Sequence, residues 1–208
     1  MNGLDAALNV EHFQGELAAA RPRAAALDAC LEEYGVEYNF SRPMAARNWV
    51  LLGSGDARAA MAGMKRDIGE ARKTGHGIFH SLMHNTLAQA CLAAGAVSEG
   101  MEAIEQAMQV AHGGERVLEA ESWRLKGELL ALEQDYEKAE QCFRTAIAVA
   151  GEQSALSLEL RAANSLVRLH RDSGLAIDAL EYLEEVLGRF TEGFDTVDLR
   201  EAQALCPQ

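Results

Sequence analysis

Proline is nearly missing from this sequence. Three residues in 208, Pro22, Pro43 and Pro207, leave room for long uninterrupted helices. Cations are short as well: 19 Lys and Arg against 32 Asp and Glu give a net charge of −13. That balance argues against nucleic-acid binding, which rewards clustered Lys and Arg, and it disfavours anionic membrane surfaces. No apolar run approaches the ~20 residues of a membrane span. The opening MNGLDAALNVEHF carries acids and no basic segment, unlike a secretory signal. The four cysteines, Cys30, Cys91, Cys142 and Cys206, are widely spaced and form no CxxC pair, so neither a zinc site nor a disulfide framework is indicated. Cys91 and Cys142 fall within apolar helical patterns, as buried thiols of a cytoplasmic protein would.

Glycine, by contrast, is abundant and regular. Gly15, Gly35, Gly55, Gly75 and Gly95 stand 20 residues apart; the series continues at Gly113–Gly114, skips Gln134, and resumes at Gly151, Gly174 and Gly193. Glycine just past a helix end supplies the left-handed residue that closes the last turn. The spacing therefore predicts helices of about 16 residues, each about 24 Å long, joined by short turns into two-helix units of about 40 residues.

Side chains support that unit. A small residue recurs in every second helix at Ala20, Ala60, Gly100, Ala139 and Ala179, followed four residues later by Met64, Ile104, Phe143 or Leu183. The two positions share a helix face. Twelve residues before the small position, the first helix carries Ala88, Gly127 or Val167, with Leu87 and Trp123 nearby as fillers. Small facing small lets two helices approach, and a large neighbour closes the gap.

The run SWRLKGELLALEQDYEKAEQCFRTAIAVA, with Gly127 and Ala139 twelve apart, Trp123 before them and Phe143 and Ala146 after, resembles the tetratricopeptide consensus. The resemblance implies an all-α superhelix, a solenoid of antiparallel helix pairs. Two features depart from it: the period is near 40 rather than 34, and the proline ending the second helix is absent. HEAT and armadillo arrays, with their 40-residue units, are the alternative. The expected layout is a single repeat domain over 1–208: an incomplete N-terminal unit at 1–35, repeats at 36–75, 76–114, 115–152 and 153–190, and a cap at 191–208.

Irregularities mark the ends. Pro22 inside a helix is expected to kink or restart it, whereas Pro43 after Ser41 suits a helix start. The short first helix predicts an unfinished unit, from a chain cut out of something longer or one whose apolar surface a second copy covers in a homodimer. At the other end, Asp195 or Thr196 would cap a last helix carrying Leu199, Ala202 and Leu205 on one side, with Phe190 and Phe194 beneath it.

The run LELRAANSLVRLHRDSG followed by FTEGFDTVDLREAQAL is similar to the C-terminal helical region of bacterial STAND-type NTPase, adenylate cyclase and transcriptional regulator proteins. That resemblance implies a signal-transduction or transcription-regulating module. No GxxxxGK[ST] loop is present.

Candidate chemistry is sparse. His76, His80 and His84 are spaced by four, as zinc ligands can be, yet no acid or cysteine completes a set, and His84 occupies the packing register of Trp123. GSGD at 53–56 fits neither a phosphate loop nor a nucleophile elbow and reads as a turn capped by Asp56. The acidic pairs Glu32–Glu33 and Glu184–Glu185 read as solvated charge. No catalytic residues, metal or cofactor are expected, so the chain reads as no enzyme. The first helix of each unit should line an inner groove with Arg42 and Trp49, then Asn85 and Gln89, then Arg124 and Glu128, then Arg161, Asn164, Arg168 and Arg171. Guanidinium forks and amides suit the carboxylates of a peptide or protein partner. The expected function is a protein–protein interaction scaffold. The alternative is a sensor whose superhelix closes around a small inducer.

Overall fold

The computed structural model describes residues 2–34, 41–74, 79–173 and 178–206. Its elements are α-helices, with one turn of 3-10 helix and no strand among the described residues. The expected all-α class stands. The chain divides into two compact units, 1–115 and 116–208.

The first unit holds α1 (Asn2–Gln14), α2 (Leu17–Tyr34), α3 (Ser41–Gly53), α4 (Ala57–Thr74), α5 (His80–Ala94) and α6 (Val97–His112). The odd helices each pack on the even helix that follows, and α3 also packs on α1 and α5. The second unit holds α7 (Glu119–Leu132), α8 (Tyr136–Glu152), α9 (Leu156–Ser173), α10 (Asp178–Gly188) and α11 (Val197–Leu205). Here α7 packs on α8 and α9, and α9 packs on α10 and α11.

The register of small residues is the core. Ala20, Ala60 and Ala139 are fully buried, Gly100 and Ala179 are buried, and Met64, Ile104, Phe143 and Leu183 lie inside beside them. Across the α7–α8 contact, a Cβ on Gly127 would stand 2.5 Å from Phe143 Cε1. Glycine there is a packing requirement, since the phenyl ring occupies the space a methyl would take.

Turns repeat with the same precision. In six of them an amide two or three residues past the helix reaches back five residues to a carbonyl: Glu16 to Glu11, Asp56 to Leu51, Ala96 to Cys91, Glu115 to Val110, Asp135 to Leu130 and Ala155 to Ala150. The residue before each of these amides is left-handed: Gly15, Gly55, Gly95, Gly114, Gln134 and Ser154. The gap in the glycine series is thus a turn of unchanged geometry, with Gln134 at φ 63° where Gly15, Gly55, Gly95 and Gly114 stand in the earlier turns. Gly151, expected in a turn, lies in the last turn of α8, and Ser154 takes the left-handed place at φ 54°. Gly35, Gly75 and Gly174 lie outside the described residues.

Three further expectations need adjustment. α2 runs unbroken through Pro22, which lies near the helix start and costs the helix one amide donor. Thr196 is the N-cap of α11, but its hydroxyl makes no capping bond. Phe190 packs against the core with Leu199, Ala202 and Leu205, whereas Phe194 is 50% exposed. Asp56 caps α4 as expected, accepting from Ala59 N at 2.9 Å. Glu115 takes a similar role from a distance, accepting from His80 N at 3.3 Å and Ser81 N at 2.9 Å at the start of α5.

Candidate functional site

In the second unit, α9 lies between α7 and α11, and polar residues recur along the facing edges at helical spacing. On α7 these are Glu121, Arg124 and Glu128; on α9, Arg161, Asn164, Ser165, Arg168 and Arg171; on α11, Asp198 and Glu201. Intervals of three and four keep each set on one side of its helix.

Arg124 is buried and grips Glu121 with two parallel bonds, Nε to Oε2 at 2.9 Å and Nη2 to Oε1 at 2.7 Å. Its Nη1 reaches Glu128 Oε1 at 3.0 Å. That same oxygen accepts from Arg168 Nη2 and from Ser165 Oγ, both at 2.7 Å. On the other side of α9, Arg161 donates to Asp198 Oδ2 from Nη2 at 2.6 Å and Nε at 3.1 Å. Arg168 pairs with Glu201 through Nη1, and Arg171 donates to the Leu205 carbonyl at the end of α11. Asn164, fully buried, donates to the Asp198 carbonyl at 3.0 Å while its Oδ1 is sealed without a partner.

Burial by itself would weaken the positive charge of Arg124, but the bonded Glu121 carboxylate, helped by Glu128, outweighs it and raises the pKa. Arg161 follows the same logic, with burial opposed by Glu121 and Asp198. Both guanidiniums are fixed cations. The arrangement can seat a helix that carries two acids three residues apart beside apolar side chains.

Of the ten residues expected to line a groove, six converge here: Arg124, Glu128, Arg161, Asn164, Arg168 and Arg171. They lie in the seams between neighbouring helices, the arginines and Asn164 bonded to acids and carbonyls of the chain itself and Glu128 accepting from Arg124, Ser165 and Arg168. The others lie in the first unit. Trp49 is half-buried and stacks on the His12 ring at 4.9 Å; Asn85 is buried and Gln89 partly so. The Arg42 side chain lies outside the described residues, as does His76. Glu121, Ser165, Asp198 and Glu201 complete the network and went unnoticed in the sequence. Glu121 sits three residues before Arg124 and could have been found from that spacing. The α11 acids could not, because pairing across 37 and 33 residues needs the packed structure.

His84 is buried, with an unpartnered Nδ1 and a pKa lowered to about 4 by burial, with Arg72 and His80 adding to the effect. Among the described residues, no three metal-ligating side chains cluster, and no helix is long and apolar enough to cross a membrane.

No family model matches the sequence, and no curated protein matches it. Solved structures do. Nearly identical TPR-like repeats of a Podosopora anserina protein described as kinesin light chain align over 98% of this chain and 94% of that one, at 14% identity and TM-score 0.57. A point variant of those repeats aligns over 90% and 92%, at 15% identity and TM-score 0.60. The likeness is one of fold: helix pairs repeated as in tetratricopeptide arrays.

Proposed function

We propose that the chain is a protein-interaction module whose repeat helices hold an acidic helical segment of a partner. The observation that carries this reading is the seating of α11. Arg161, Asn164 and Arg168 on one helix face hold Asp198 and Glu201 of another helix, beside a buried Leu199, Ala202 and Leu205. The face thus holds one acidic amphipathic helix of the chain itself, whose place a partner's helix would take, and the likeness to TPR-like repeats supports an interaction role in general. Arg171, exposed at the end of that face, is where a partner's carboxylate would first engage. The resemblance of about residues 80–206 to regulator proteins supports a place in a bacterial signalling or transcription system.

The test is affinity capture with the purified chain as bait, set beside the double variant Arg168→Glu, Arg171→Glu. Wild type should retain a partner that the variant loses. Identical capture by both removes the face from the reading, and a bait that retains nothing removes the reading itself.

A further inference from the structure

The even-numbered helices of the first unit are not joined alike. Between α4 and α6, Lys65 pairs with Glu99 and Arg72 Nη2 donates to Gln106 Oε1 at 3.1 Å. Moved back by the 40-residue register, Lys65 and Glu99 become Ala25 and Ala59. Neither can bridge. Between α2 and α4 there is instead an open cleft of about 320 Å³ with α3 as its floor. At ~30 Å³ per water-sized group, that space takes about ten non-hydrogen atoms.

Three guanidiniums line the cleft, Arg21, Arg47 and Arg66, with two carboxylates, Asp28 and Asp67. Both acids are already engaged. Asp28 lies 2.7 Å from Arg47 Nη2, while Asp67 accepts from Asn48 Nδ2 at 2.8 Å and Arg66 Nε at 3.1 Å. Asn48 is held rigid by a second bond to the Met44 carbonyl at 2.8 Å. Arg21 differs from the other two. Its Nη2 donates to the Gly53 carbonyl at 2.8 Å, the negative end of α3, and no carboxylate lies within ion-pair distance of it among the described residues. That bond anchors the guanidinium and leaves other N–H donors of its fork uncommitted. The lining carries one net positive charge on a protein of net charge −13. Ala24, Ala25, Val50 and Leu51 complete the wall with apolar surface.

We infer that this cleft is a binding site for a monoanionic carboxylate with a short apolar body, held head-first by Arg21. A single negative charge matches the single uncompensated cation, whereas a phosphate dianion would add repulsion from Asp28 and Asp67. A free short-chain acid and the C-terminal carboxylate of a peptide present the same chemistry. The site is independent of the helix face proposed for a protein partner, and either assignment can fail without the other.

Amide chemical shifts of the full-length chain, titrated with hexanoate, with N-acetyl-leucine and with neutral N-acetyl-leucinamide, test the proposal. Saturable shifts confined to α2, α3 and α4 are expected from at least one acid. Hexanoate alone would identify a free acid as the natural ligand class, and N-acetyl-leucine alone a peptide terminus. Arg21→Gln, at an exposed position, should weaken the response at least tenfold. Ala25→Leu, which fills the cleft, should abolish it while the rest of the spectrum stays unchanged. An amide response equal to the acid's, an unaltered Arg21→Gln titration, or no localised shift with either acid overturns the site.

Discussion

Gln134 and Ser154 hold a left-handed backbone that an L side chain adopts at a cost of about 1–2 kcal/mol, offset in part by the entropy glycine would lose on folding. Replacing either with glycine should therefore raise stability by about 0.5–1 kcal/mol, measured as an upward shift of the urea midpoint at constant slope. Gly127 works in reverse. Its missing Cβ is where Phe143 lies, so Gly127→Ala should cost about 1–3 kcal/mol, and Phe143→Leu in the same chain should recover part of the loss. An unaltered Gly127→Ala midpoint would show that the ring moves aside freely. Gly127 and the small-residue register could be read from the sequence because contacts between paired helices repeat in every unit. The left-handed Gln134 was visible only as a gap in the glycine series. Turn geometry here follows from helix packing, and glycine merely lowers its cost.

α11 is held by ion pairs as well as by its three buried apolar residues. Asp198 and Glu201 are only partly shielded, so their bonds to Arg161 and Arg168 are screened and together contribute about 1 kcal/mol. Asp198→Asn with Glu201→Gln should speed amide exchange in 197–205 about fivefold while α7 and α8 keep wild-type protection. Equal acceleration throughout the unit would mean that α11 opens only with everything else. The sequence revealed this helix and its apolar side, because Leu199, Ala202 and Leu205 follow the helical period. It did not reveal that the arginines assigned to an open groove would meet these acids. A guanidinium facing solvent and one facing a neighbouring helix have the same spacing within their own helix.

At the scale of the molecule, the acid limb of stability carries the mark of one histidine. His84 has a folded pKa of about 4 against an ordinary value near 6.5. The unfolded chain therefore takes up its proton first as pH falls. Stability from this residue is complete above about pH 6.5 and drains away towards pH 4, by roughly 3 kcal/mol in all. His84→Leu should flatten that stretch of the stability–pH curve, and a slope unchanged by the substitution would assign it to other groups. His84 could be placed in the core from its register alone, whereas its orphaned ring nitrogen emerged only with the packed neighbours.

Glu115 bears on how the chain can be divided. Its carboxylate closes the start of α5, which lies 35 residues upstream of it. An N-terminal fragment ending at 112 would keep all of α6 and still leave the first amides of α5 bare, so that helix should fray from its beginning. A fragment ending at 115 would not. The minimal self-sufficient piece is set by the reach of one side chain rather than by where a helix stops.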